Sequence, residues 1–135
     1  FTLGKAVTMR QGRDATIIAM GIMVAKALEA SDILARQGID CRVINMPTLK
    51  PLDEEAIVRA ASETGAIVVA EEHLSHGGLG SRVAQAVAMK KPVPMSFVNL
   101  KDNYAFSGKD EELLQRYGLT AKDIEEAVKA AIKRK

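Results

Sequence analysis

The chain has 135 residues, 47% of them apolar and 27% charged, with 19 basic against 17 acidic side chains. That length and apolar share fit one domain with a substantial core and exclude a disordered chain. The small cationic excess gathers partly in Lys129, Lys133, Arg134 and Lys135, and aromatic residues make up only 4% with no Trp; this reads as the basic end of a helix rather than a nucleic-acid surface, which would need aromatic platforms among its cations.

The elements follow in chain order from changes of period and from turn residues. Ala6 to Met9 reads as a strand, Gln11-Gly12-Arg13-Asp14 as a turn, and Ala15 to Met20 as a fully apolar strand. So short a turn predicts that these two strands pair antiparallel. From Ile22 to Gln37 the period becomes helical, with Met23, Ala27, Ala30 and Leu34 on one face, Val24, Leu28 and Ile33 beside it, and Gly38 as the stop. Cys41 to Asn45 is the next strand, and Pro47 and Pro51 bracket a loop.

Asp53 is placed to cap a helix whose buried face is Ala56, Ile57, Ala60, Ala61 and Thr64, with Gly65 at its end. Ala66 to Ala70 is a strand, followed by a Gly-rich loop and a helix to about Met89. Met95 to Val98 is the last strand, and the adjacent Pro94 marks a late start or an edge. Ser107 with Asp110 and Thr120 with Asp123 resemble capping boxes for two further helices, the first stopped by Gly118 and the second burying Ile124, Ala127, Val128, Ala131 and Ile132. The order β-β-α-β-α-β-α-β-α-α implies an α/β fold: a three-layer α/β/α sandwich on a mixed, mostly parallel five-stranded sheet, with one antiparallel edge strand and right-handed crossovers.

The chemistry collects between Ala70 and Ser81. This stretch holds Glu71 and Glu72, both histidines of the chain (His73 and His76), and Gly77, Gly78 and Gly80. It lies where a strand end meets a helix start, the usual ligand position in an open α/β sheet. Glu72, His73, His76, Gly77, Gly78, Gly80 and Ser81 therefore form a candidate loop for an anion or a subunit contact.

Each feature also has a structural explanation. The glycines match neither a P-loop nor the G-x-G-x-x-G fingerprint, and a tight strand-to-helix crossing uses glycine equally well. Glu71 and Glu72 are adjacent, so they point to opposite faces of a strand and cannot act together as acid and base on one substrate; one faces the crevice, the other a basic partner or solvent. His73 or His76 could move a proton beside a carboxylate, but a hydrogen-bonded loop or a subunit contact explains them as well. No further His or Cys completes a transition-metal set with them. Cys41, the single cysteine, sits in an apolar run and reads as a core thiol. G-x-S-x-G is absent, and neither Ser75 nor Ser81 has convincing base-and-acid partners. No catalytic, cofactor-binding or metal-ligating residue is assigned to the chain itself. No apolar run is long enough to span a bilayer, and a cytoplasmic location is expected.

Glu71-Glu72-His73-x-x-x-Gly77-Gly78-Leu79-Gly80-Ser81-x-Val83 resembles the signature of the C-terminal domain of transketolase-like, thiamine-diphosphate-dependent enzymes. Gly4-Lys5-Ala6-Val7, Asp14-Ala15-Thr16-Ile17-Ile18-Ala19-Met20-Gly21 and Val43-Ile44-Asn45-Met46-x-Thr48-Leu49-Lys50-Pro51-Leu52-Asp53 are similar to the same domain. The tail Phe106-Ser107-Gly108-x-x-x-Glu112-Leu113-Leu114-x-x-Tyr117-Gly118-Leu119-Thr120 is most similar to transketolases, in particular those split into two shorter subunits; deoxyxylulose-phosphate synthases rank second and 2-oxo acid dehydrogenase β-subunits third.

The resemblance implies a parent enzyme that moves a two-carbon ketol unit between sugar phosphates, as in the pentose phosphate pathway. It implies thiamine diphosphate and a divalent metal (Mg) bound between pyrimidine and pyrophosphate domains, with none held by this domain. Those domains, or the separate polypeptide carrying them, are the implied partners, together with a homodimer contact and neither nucleic acid nor membrane. The single domain, residues 1–135, is expected to be cut from a longer chain and to be inactive alone. A small-anion-binding regulatory domain and a pure interaction module are the competing readings.

Overall fold

A computed structural model describes residues 4–47, 51–71, 78–98 and 121–135. Strands β1 (Val7–Arg10), β2 (Ala15–Ala19), β3 (Cys41–Asn45), β4 (Ile67–Ala70) and β5 (Met95–Val98) alternate with helices α1 (Met23–Arg36), α2 (Glu54–Thr64) and α3 (Leu79–Lys90), and α4 (Ala121–Lys133) follows. The strands form one sheet in the order β1-β3-β2-β4-β5. β2 pairs parallel with β3 and β4, and β4 with β5; β1 alone runs antiparallel, on the outer edge of β3. This is the three-layer α/β/α architecture read from the sequence. Among the described residues no helix is long and apolar enough to cross a membrane.

The sheet has two buried faces because its central strands are apolar at nearly every position. Ala15, Ile17 and Ala19 of β2, with Val43, Val68 and Ala70, meet Met23, Ala27, Ala30 and Leu34 of α1 and Ile124, Val128 and Ala131 of α4. Ile18, Ile44, Ile67 and Val69 point the other way, onto Ile57, Ala60 and Ala61 of α2 and Leu79, Val83 and Val87 of α3. The faces differ in bulk on β2 and β4, which present more alanine to α1 and α4 and more isoleucine to α2 and α3. Burying one such branched side chain contributes about 1.5–3 kcal/mol.

The stop and cap residues act as their types require. Gly38 closes α1 at φ +82°, its N–H donating to the Ala35 carbonyl at 3.1 Å. Asp53 caps α2 through the Ala56 N–H at 3.2 Å. β5 starts directly after Pro94 and is the second sheet edge.

The first two strands correct the expected hairpin. β1 does not pair with β2; β3 lies between them. β2 is buried along its whole length and so needs a partner on each side, whereas β1 is exposed at three of its four positions and suits an edge. The four-residue link is long enough to step over one strand, since two strand spacings are about 10 Å and four extended residues reach about 13 Å. It does so across the start of β3: the Arg13 and Asp14 N–H groups donate to the Asp40 carbonyl, and the Asp40 N–H donates to the Asp14 carboxylate at 2.7 Å. Buried Gly12 lies so near β3 that a Cβ would stand 2.2 Å from the Cys41 carbonyl carbon.

Two helix faces also differ in detail. Ala56 of α2, and Ala127 and Ile132 of α4, are half-buried rather than buried; α3 buries Leu79, Gly80, Val83, Ala86 and Val87. The expected helix across Leu113, Leu114 and Tyr117, with its Ser107 and Asp110 cap, lies outside the described residues, as does Thr120.

Candidate functional site

The chain leaves β2 towards β3 through α1 and leaves β4 towards β5 through α3, on opposite faces of the sheet. The C-terminal ends of β2 and β4 are therefore the topological switch point, where open α/β sheets form a crevice. Ala19 and Ala70 are paired neighbours at that end.

Beyond Ala70 the backbone keeps its pairing for one more residue, since the Glu71 N–H donates to the Val98 carbonyl at 3.0 Å. Strand alternation then carries the Glu71 side chain onto the face of Ile67 and Val69, under α3. Glu71 is 1% exposed. Its Oε1 accepts from the Leu79 N–H at 2.8 Å, and its Oε2 accepts from the Gly80 N–H. These amides belong to the first turn of α3, where helix N–H groups lack intrahelical acceptors and the helix dipole is positive. Gly78, at the cap position, is extended and has no side chain to supply an acceptor. Glu71 supplies it from eight residues upstream of Leu79, so the buried charge and the open helix start satisfy each other.

Gly80 permits that approach. A Cβ there would stand 3.3 Å from the Glu71 Oε2 and 3.1 Å from Cδ1 of Phe97, a β5 residue that is 39% exposed. Of the candidate loop residues, Gly78 and Gly80 are buried at the helix start, and Ser81 is exposed on its first turn. Glu72, His73, His76 and Gly77 lie outside the described residues. The sequence left open which of the adjacent glutamates faces inward; counting by twos from Ile67 and Val69 selects Glu71. Phe97 carried no sequence signal, because its relevance depends on β5 lying beside β4.

Cys41 is fully enclosed at the start of β3. Burial first, then the charges of Asp14 and Asp40, push its thiol up to about 12, with Arg10 acting in the opposite direction. Such a thiol is not a nucleophile near neutral pH.

The start of α3 is not open to a diphosphate such as that of thiamine diphosphate. A diphosphate seeks a helix start such as that of α3, and there a carboxylate of the chain itself holds the Leu79 and Gly80 amides. No group of three or more His, Cys, Asp or Glu able to hold a metal ion is present among the described residues.

The family described as transketolase, C-terminal domain, matches residues 4–124. The chain is 47% identical over 135 residues to the 6-deoxy-6-sulfo-D-fructose transketolase subunit SqwH of Clostridium sp. (strain MSTE9), covering 100% of this chain and 42% of that protein. It is 42% identical over 124 residues to a subunit of the apulose-4-phosphate transketolase of Phocaeicola vulgatus, covering 92% of this chain and 39% of that protein. A solved structure described as a split gene transketolase, inactive beta4 tetramer, superposes with a TM-score of 0.92 at 45% identity, covering 100% of this chain and 43% of that one. The chain thus spans about two fifths of the length of these two curated relatives. It belongs to the transketolase C-terminal domain family.

Proposed function

We propose that the chain is the C-terminal domain of a split transketolase, which transfers a two-carbon ketol unit between anionic sugars. The observation that most supports this is one of extent. The likeness to transketolase subunits runs through the whole chain and yet spans about two fifths of theirs. The two relatives are named for a sulfo-sugar and a sugar phosphate. The class carried over to this chain is therefore an anionic ketose, of which pentose phosphates are one case.

In this reading the domain is a single unit of a longer protein and does not hold the cofactor. Thiamine diphosphate and its divalent metal sit between the pyrimidine and pyrophosphate domains, and the cofactor carries the carbanion chemistry. The domain packs against the pyrimidine domain, contributes to a homodimer and narrows the path to the reacting centre. The rim from Glu72 to Ser81 is its contact surface; of this rim, Gly78 to Ser81 are described and lie at the start of α3. A regulatory anion on the same rim would have to compete with Glu71 for the Leu79 and Gly80 amides, which favours the assembly role.

The test is ketol transfer by the full-length protein with its partner subunit, supplied with thiamine diphosphate and magnesium and offered phosphorylated and sulfonated ketoses. Transfer to an aldose acceptor supports the reading. A loaded, assembled protein that transfers no ketol unit from any such donor contradicts it.

A further inference from the structure

The chain enters the domain at a fixed point. Gly4 has φ +77° and lies so close to Pro51 that a Cβ would meet the Pro51 Cγ at 2.5 Å. Two residues on, the Ala6 N–H donates to the Asp53 carboxylate at 2.8 Å. β1 follows at once, with Val7 opposite Asn45. Beside this entry the surface is apolar: Val7 is 44% exposed, Met9 45%, and Ile22, at the cap position of α1, 44%. β1 has one residue more than β3 between Thr8 and Arg10, so Met9 shares with Arg10 the place opposite Val43. Arg10 bonds Ser31 and Asp32 of α1. The side of α1 that faces β1 is therefore the one carrying half-buried Leu28 and Val24, one and two turns before Asp32. Asn45 also pairs with Ala19, three residues before Ile22, so Val7 and the start of α1 lie at the same end of the sheet. β1 and the first half of α1 thus frame an apolar shelf, closed at one end by Arg10 and Asp32 and open where the chain enters.

We propose that the shelf of Val7, Met9 and Ile22 is the seat of the part of the full-length protein that lies N-terminal to this domain, which docks there through an apolar surface of its own. This rests on the reading of the chain as the C-terminal domain of a longer transketolase subunit. The two curated relatives leave about three fifths of their length outside the match, and the matched family is a C-terminal domain, so that remainder joins at the Gly4 end. Three residues lead from Gly4 to Val7 and span at most about 11 Å. The preceding part is tethered beside the shelf at an effective concentration of roughly millimolar, an advantage that neither a second copy nor a separate subunit has. The shelf offers a charged partner nothing to pair with, since Arg10 and Asp32 at its closed end already pair with each other.

The experiment is oxidation of Met9 by dilute hydrogen peroxide in the full-length protein, read by mass spectrometry and scaled to N-acetylmethionine in the same solution. A bare Met9 at 45% exposure stays within about tenfold of that standard, whereas a covered one is slower than that, because sulfoxide formation follows access. The slow rate is expected with and without the partner subunit, and also on dilution to single subunits as followed by sedimentation. Val7→Asp places a charge in the contact and brings Met9 within about tenfold of the standard. Circular dichroism is unchanged in that variant, since Val7 is exposed on an edge strand of its own domain. Thr8→Asp, a charge opposite Ile44 and so on the α2 side of the same strand, leaves Met9 slow. Val7→Ser serves if Val7→Asp does not fold.

A fast Met9 in the wild type, a slow one in the Val7 variants, or one freed equally by Thr8→Asp would each overturn the proposal. Protection lost on dilution to single subunits gives the shelf to a second copy, and protection that appears only when the partner subunit is added gives it to that subunit; either result overturns the occupant named above. Ketol transfer by the wild type is scored separately. Transfer with a bare Met9 sinks only the docking, and a protected Met9 without transfer sinks only the transketolase reading.

Discussion

Asp53 and Ala6, 47 residues apart, are joined by a 2.8 Å hydrogen bond from the Ala6 N–H to Oδ2, while Oδ1 of the same carboxylate caps α2 at Ala56. One side chain thus fixes the entry to β1 and the start of α2. Replacing a capping Asp by Ala costs about 1–2 kcal/mol, and here the Ala6 amide loses its acceptor too. Asp53→Ala is expected to lower the urea midpoint accordingly, whereas Asp53→Asn, which keeps one acceptor oxygen, loses less. An Asp53→Asn variant as stable as the wild type would show that the link to Ala6 adds nothing.

Gly12 answers to space rather than to backbone angle. A Cβ would meet the Cys41 carbonyl carbon at 2.2 Å and the Arg42 nitrogen at 2.4 Å, both backbone atoms of a central part of the sheet. Gly12→Ala is expected to cost about 3 kcal/mol or more, the upper end of overpacking penalties. Gly38 gives the contrast: it has φ +82° and nothing within 4 Å of the built Cβ, so Gly38→Ala costs only the left-handed backbone term of about 1–2 kcal/mol. Equilibrium unfolding of both variants checks the order, and a Gly12→Ala protein as stable as Gly38→Ala would refute the close approach to β3.

Where a residue's role depended on local pattern, the sequence was readable. Periodicity identified the α1 face of Met23, Ala27, Ala30 and Leu34, and residue type identified the Asp53 cap and the Gly38 stop. The failures share a cause, which is dependence on which element lies next to which. The Gln11–Asp14 link resembles a hairpin turn, and only the need of β2 for two partners makes it step over β3. Glu71 and Glu72 look equivalent until strand alternation and the side on which α3 packs are known together. Of the rim, Gly78, Gly80 and Ser81 are described, and the sequence had marked all three; the anion facing them, Glu71, was read only as one of a pair.

Thr16 and Thr64 place two hydroxyl oxygens 2.8 Å apart inside the sheet–α2 layer, and both residues are buried. Thr64 also reaches the Ala60 carbonyl at 2.8 Å, so it keeps a partner when Thr16 is changed. Thr64→Val instead leaves the Thr16 hydroxyl buried without that partner, at a cost of about 1–3 kcal/mol. Thr64→Val should therefore destabilise more than Thr16→Val, and the double variant should recover part of the loss. Strictly additive effects in a double-mutant cycle would mean the hydroxyls do not interact.

Cys41 makes a prediction about pH. Its thiol is held up to about 12 when folded, against an ordinary value of 9.0. The folded chain therefore keeps a proton that the unfolded chain releases, so this contribution to stability is complete below pH 9 and declines as pH rises towards 12. The slope for one such group is about 1.4 kcal/mol per pH unit. Unfolding midpoints measured from about pH 8 to about pH 10.5 should fall more steeply for the wild type than for Cys41→Ala. Parallel curves would show that Cys41 titrates alike in the folded and unfolded chains.

The central claim is that this domain helps to assemble a transketolase whose cofactor is held elsewhere. Calorimetric titration of the folded 135-residue chain with thiamine diphosphate and magnesium tests it most directly, with folding checked by circular dichroism and the full-length, partnered protein run alongside. The account predicts no binding heat for the domain at micromolar cofactor, and saturable binding with ketol transfer for the assembled enzyme. Micromolar binding of thiamine diphosphate by the domain alone would contradict it.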